Sequence, residues 1–301
     1  MKRLKRHILP VLLALAAGVA HAGQAVRVDV AGWNDSDAAS VATFGVSWLP
    51  EYTDLDHYAG IKLERADFSP HGGRSTQHSK RVYGLFAGGE AWKWRAAVGS
   101  DSHTLLGSAN LYSDANGRHR EIFVQREIVE TPIGLARHFY YTYAGATADQ
   151  PLGTRDTLVG LAGVQDFDGG NDRLHLRARY IHVLSEDWGL SAQLRTRWFR
   201  DSDPHQYDYY SPRWYGEALG VLALRRWRGG WQYSAAVGFG RQRDDSRSWH
   251  DARLLELGLT SPRRGAWYLE AHATLTDTAT GAGGGANYLY RYLEVSLNHA
   301  W

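Results

Sequence analysis

The chain has 301 residues, with 12 Trp, 17 Tyr, 33 Gly, a single Met and no Cys. Without cysteine it can hold no disulfide, zinc-thiolate centre or cysteine nucleophile. Its mean hydropathy of -0.43 excludes a polytopic helical membrane protein, which needs several apolar runs of about 20 residues.

The first segment explains the formal charge of +2. Lys2, Arg3, Lys5 and Arg6 precede an apolar run, Ile8 to Val19, too short to cross a bilayer. Ala20, His21 and Ala22 then offer small residues for signal peptidase. Residues 1–22 read as a secretory signal peptide cleaved before Gly23, with 23–301 as one exported domain. The signal takes four of the 34 basic residues and none of the 32 acidic ones, leaving 30 against 32. A mature chain that is not basic argues against nucleic acid as a partner.

From there the hydrophobic period is two almost throughout. Leu174, Leu176, Ala178 and Tyr180 alternate with Arg173, His175, Arg177 and Arg179. Tyr233, Ala235, Val237 and Phe239 alternate with Gln232, Ser234, Ala236, Gly238 and Gly240. Such alternation marks strands with one apolar and one polar face. Turn signals divide the chain into about sixteen strands, near 25–33, 41–49, 56–68, 77–88, 91–101, 104–113, 119–129, 136–147, 153–166, 172–185, 188–201, 213–227, 231–244, 248–260, 265–277 and 286–301. No segment after the signal carries a helical stripe. Tight turns at Glu186–Asp187, Gly229–Gly230 and 262–265 alternate with longer connections at 201–212, 242–248 and 277–287, the last with its 281–285 glycine run. Alternating short and long connections, an even strand count and a final strand ending in Trp301 predict an all-β, transmembrane, antiparallel up-and-down barrel in the outer membrane of a Gram-negative cell. The very short connection at 101–104 leaves fourteen strands as an alternative. Trp92, Trp94, Trp198, Trp227, Trp231 and Trp267 fall near strand ends, where aromatic girdles belong. The aromatic terminus implies handling by barrel-insertion machinery, and the missing cysteines suit passage through an oxidising periplasm.

With the apolar face toward lipid, the other face lines a lumen. Basic candidates are Arg173, His175, Arg177, Arg179, Arg195 and Arg197; acidic ones are Glu121, Glu127, Glu256, Glu270 and Glu294. Arg177 and Arg179 are expected opposite Arg197 and Arg195 across a tight hairpin. Like charges so placed destabilise a ladder by about 0.2–1 kcal/mol per pair, so water, an inward acidic loop or an anionic permeant must offset them. The glutamates of the closing strands would form a facing acidic wall and give a transverse field. Tyr209, Tyr210, Tyr268, Tyr290 and Tyr292 are candidate sugar-stacking rings.

Two stretches resemble a known family. Tyr209-Tyr210-Ser211-Pro212 followed by Trp214-Tyr215, and the Gln125–Ala136 segment, are similar to the porin domains of exopolysaccharide exporters. These include the poly-N-acetylglucosamine and cellulose-export barrels and the small barrels of the YaiO type. The resemblance implies an outer-membrane channel that passes polysaccharide. In the large exporters a periplasmic array of helical repeats precedes the barrel; none is visible here, so a separate scaffold protein becomes a possible partner. The poly-N-acetylglucosamine barrel favours a cationic polymer, and the arginines here argue against that preference. Two other readings remain: a lipid-modifying enzyme using Ser211, His205 and Asp208 or His250, Asp251 and Asp277, and an adhesion barrel closed by its own loops. No spacing joins a nucleophile, base and orienter on one strand pair, and neither metal nor cofactor is expected.

Overall fold

The computed structural model describes residues 23–70, 75–263, 265–280, 283–284 and 288–301. The signal-peptide reading of 1–22 and most of the 281–285 glycine run lie outside the described residues. The sixteen strands are β1 (Ala25–Asp35), β2 (Ser40–Asp54), β3 (His57–Ser69), β4 (Gln77–Gly88), β5 (Lys93–Ser100), β6 (Leu105–Ala115), β7 (Arg118–Ile128), β8 (Tyr140–Pro151), β9 (Asp156–Phe167), β10 (Asn171–Ser185), β11 (Leu190–Asp201), β12 (Trp214–Arg228), β13 (Trp231–Asp244), β14 (Arg247–Thr260), β15 (Trp267–Thr276) and β16 (Tyr290–Ala300). Each pairs antiparallel with its sequence neighbours, and β16 closes on β1 with Ala25 opposite Ala300 and Asp35 opposite Tyr290. Closure leaves no strand edge unpaired, which is what a sheet in hydrocarbon requires.

Both ends of the barrel chain meet at one rim, taken as periplasmic by the rule that short turns lie there. Outward positions are large and apolar: Leu63, Phe239 and Leu105 are 60%, 64% and 65% exposed, the signature of a lipid-facing surface in an isolated chain. Outward tryptophans band the periplasmic rim at Trp48, Trp94, Trp231 and Trp267. Trp227 departs from the expected girdle. It pairs with Gln232 in the register that places Tyr215 and Glu217 inside.

Sixteen strands stand because the 101–104 connection is stable as a turn. Asp101 Oδ1 accepts hydrogen bonds from the amides of His103 (3.0 Å) and Thr104 (3.2 Å), while its Oδ2 accepts from Tyr140 (2.7 Å). Burial would raise the Asp101 carboxyl, but these donors outweigh it and hold the group below its ordinary value.

Three expectations change. The 242–248 connection is a two-residue turn, since Gln242 pairs with His250 and Asp244 with Arg247. The strand expected over 136–147 starts only at Tyr140. Before it lies α1 (Pro132–Arg137), too short to show a helical stripe. Thr131 caps α1 by accepting from the Gly134 amide, and Pro132 opens it. Gly134 is required: a Cβ there would lie 2.0 Å from the Val129 carbonyl oxygen. Finally, the inner face is not polar all round. Leu219, Val221, Ala236 and Ala252 on β12–β14 form a buried apolar sector.

Candidate functional site: the lumen

The lumen inherits its chemistry from the inward half of each alternation. A free volume of about 930 Å3 within it is bounded by β1–β7, β16 and inward groups of β8–β10. Arg27, Lys62, Glu64, Arg81, Glu121 and Glu294 line it, with Tyr290 and Tyr292 as half-buried rings.

On this side charges meet in contact. Glu64 stands directly opposite Arg81 in the β3–β4 ladder. Arg81 Nη1 lies 3.1 Å from Glu64 and 3.7 Å from Glu127. Lys62 bridges Glu64 (2.8 Å) and Asp29 (3.6 Å). Glu121 accepts from Asn110 (2.7 Å) and lies 3.3 Å from His119. At the periplasmic mouth Asp56, in the β2–β3 turn, binds Lys93 (2.7 Å) and Arg95 and faces Arg263 of the β14–β15 connection at 3.6 Å. Burial alone would raise the Asp56 carboxyl; hydrogen bonds from Lys93 and Arg95, with their charges, hold it well below the usual carboxylate range.

The β10–β12 wall is built differently. The register places Arg177 opposite Arg197 and Arg179 opposite Arg195, as the hairpin spacing implies. Arg197 is tied by Glu217 (2.7 Å) on β12 and by the Ala279 carbonyl (2.6 Å) of the β15–β16 loop. Arg195 reaches Glu256 (2.8 Å) on β14, spanning the apolar sector of β12 and β13. Arg173 is buried, donating to Asp201 (2.9 Å) and the Tyr210 carbonyl. His175 is wedged beside Tyr143 and Phe199, with Gln165 at 3.0 Å. Arg177 and Arg179 make no hydrogen bond or ion pair among the described residues and remain open to solvent. Of the six basic candidates, these two are therefore available to a permeant. Arg173 and His175 are packed into the wall.

The expected acidic wall is also spent in part. Glu256 is paired as above, Glu270 accepts from Tyr268 (2.6 Å), and Glu294 accepts from Tyr292 (2.7 Å).

The 129–139 and 202–213 connections, and Ala279 of the β15–β16 loop, reach inward. Asp208, in 202–213, accepts from Thr131 Oγ1 (2.6 Å) and the Ile133 amide (2.7 Å) at the start of α1. Leu135 of α1 packs into a core with Val41, Phe68 and Leu106 inside the barrel. Just before α1, Glu130 accepts from the Trp33 indole (2.6 Å) on β1. Tyr209 stacks on Phe167 at 4.5 Å and donates to Gln206, and burial pushes its hydroxyl up to about 12. Tyr210 donates to Asp244 (2.7 Å). Tyr209 and Tyr210 thus form the core of a loop, and Tyr268 is likewise buried. Tyr290 and Tyr292 are the two candidate rings that border the cavity.

Sequence reasoning passed over Arg81, Asp56 and Glu130, and weighed Asp208 only as a catalytic carboxylate. Arg81 was accessible, sharing a parity with Tyr83 and Leu85 in a strand assigned from its pattern. Asp56, Glu130 and Asp208 act across the barrel from turns and loops, where no periodicity signals a partner.

Geometry and surface together define a sixteen-stranded barrel of the outer-membrane porin type. Among solved structures it is similar to one described as a bacterial polysaccharide outer membrane secretin, with TM-score 0.64 and 14% identity over 94% of this chain and 100% of that one. More distant likenesses are a variant of OccD1 (OprD), at TM-score 0.47 and 9% identity over 95% and 97% of the two chains, and OccK5 (OpdH) of Pseudomonas aeruginosa, at 0.43 and 9% over 92% and 98%. No protein-family model and no curated protein sequence matches the chain.

Proposed function

We propose that this barrel is a channel that passes an anionic exopolysaccharide across the outer membrane. The observation that carries the reading is the pair Arg177 and Arg179, lumenal, solvent-open and without a fixed carboxylate, backed in register by two further arginines. Arginines held in this way lower the barrier for an anionic group, which contacts them in turn as it moves. Tyr290 and Tyr292 across the cavity offer faces for sugar rings. The likeness to a polysaccharide secretin supports a polymer rather than a small solute as cargo. A periplasmic scaffold protein would deliver the chain.

The test is single-channel recording in planar bilayers. The expected result is an anion-selective pore that oligoglucuronate blocks at lower concentration than neutral dextran or chitosan oligomers of equal length. Preferential block by the cationic chitosan oligomer overturns the anionic cargo. Absence of conductance, both in wild type and after removal of residues 201–212, overturns the channel and favours a barrel closed by its own loops, a reading to which the Asp208 and Arg197 loop contacts lend support.

A further inference from the structure

The outward face carries a cavity that the lumen does not use. It is an oblique groove of about 650 Å3 across β8–β12, floored by Ala146, Ala162, Ala178, Gly216 and Ala218, with Trp249 at its outer end. Register makes the floor continuous. Ala146 faces Ala162, Ala178 faces Thr196, and Thr196 faces Ala218. The groove descends from the outer ends of β11 and β12 to mid-height on β8. That is four interstrand steps, about 19 Å, against roughly 15 Å of hydrocarbon in one leaflet.

A basic rim crowns the upper end. Gly216 and Ala218 pair directly with Arg243 and Arg241 of β13, which share their outward face. Arg200 on β11 stands opposite Trp214, and the Arg243 guanidinium lies 5.3 Å over the Trp214 ring. Arg253 completes the rim on β14. Arg241 and Arg253 lie 3.7 and 3.8 Å from the exposed Asp251, and Arg253 also lies 3.9 Å from Asp277. Of these four arginines at a membrane interface, Arg241 and Arg253 lie within ion-pair reach of carboxylates, those of Asp251 and Asp277. The outward tryptophans of the outer rim, Trp198, Trp214 and Trp249, all stand on these same strands.

We propose that this face is a binding site for lipopolysaccharide, the phosphorylated, multiply acylated lipid of the outer leaflet. One acyl chain fills the groove, its neighbours lie against Leu176 and Trp198, and the phosphates rest on Arg241, Arg243 and Arg253. The rim spans β11 to β14, about 14 Å, wider than one phosphodiester needs and suited to a headgroup with two phosphates. Arginine is the side chain fitted to bind phosphate bidentately. The site is separate from the lumen and rests only on the outer-membrane placement.

The test uses the full-length barrel purified in detergent. Purified lipopolysaccharide and, separately, phosphatidylglycerol are added in the same micelles, and bound lipid is counted by native mass spectrometry. One lipopolysaccharide per barrel is expected. The triple variant Arg241→Gln, Arg243→Gln, Arg253→Gln should weaken its retention about tenfold or more, a loss of about 1.4 kcal/mol. Gly216→Trp should do the same by filling the groove, since a Cβ at Gly216 meets only the edge of Trp198 at 4.0 Å. Heat-modifiable gel mobility and single-channel conductance should stay at wild-type values in both, which reports folding. Equal retention by wild type and the triple variant overturns the site, as does equal retention of phosphatidylglycerol. A wild-type dimer that Gly216→Trp dissociates also overturns it, making the groove an interface between copies.

Discussion

On β3 and β4, a glutamate and an arginine stand opposite each other and meet at 3.1 Å. On β10 and β11, arginine stands opposite arginine twice, and two of the four find no fixed partner among the described residues. Both walls face the same water and belong to strands of similar length. The difference teaches which charges are scaffolding and which are left open to lumenal water, where the proposed channel would use them. A paired, buried ion is part of the wall, and removing one partner strands the other. An unpaired, solvent-open ion facing a like charge costs the ladder stability, so it does no structural work there.

Breaking the paired wall should produce the largest effect. Arg81→Met leaves Glu64 and Glu127 without their shared cation and should cost about 3–5 kcal/mol, read as a lowered urea midpoint in lipid vesicles, with the sign of ion selectivity unchanged. An unaltered midpoint would erase the distinction between the walls. The loop contact comes next. Asp208→Ala removes two hydrogen bonds at the start of α1 and should cost about 1 kcal/mol, with larger open-channel current fluctuations as the visible sign. Neutralising the unpaired wall should go the other way. Arg177→Met with Arg179→Met relieves two like-charge pairs and should stabilise by about 0.2–1 kcal/mol per pair while abolishing anion selectivity. A double variant that keeps its selectivity would show that the free arginines only hydrate the lumen. The smallest effect concerns acid. Because the folded-state value of Asp56 is depressed, its contribution is complete above the ordinary carboxylate value of about 4 and is lost only as pH falls through the lowered one. The stability difference between wild type and Asp56→Asn should therefore be flat from pH 7 to 5, and a decline of that difference within the window would refute the assignment of Asp56 to its cationic cluster.

Much of this was legible beforehand because barrel strands obey a period of two, and a residue's parity tells which solvent it meets. The Arg177–Arg197 and Arg179–Arg195 oppositions followed from a tight hairpin, since turn length sets register. The same rule could not say that Arg195 would cross two strands to Glu256, or that Arg197 would seize the carbonyl of Ala279, because both partners are distant in sequence. Tyr209 and Tyr210 misled for a related reason. An exposed-looking loop rich in tyrosine reads as a binding surface until Phe139, Phe167 and Asp244 are brought beside it.

The sequence alone determined the architecture. Alternation marked the strands and their two faces and narrowed their number to sixteen or fourteen, since a closed barrel is the strand arrangement that leaves no backbone group unpaired in lipid. Only the tertiary structure decided which lumenal charges are spent and which are free. That choice depends in part on contacts between strands three apart, as from Arg195 to Glu256, and on loops folding inward to Arg197, and no local pattern carries such distances.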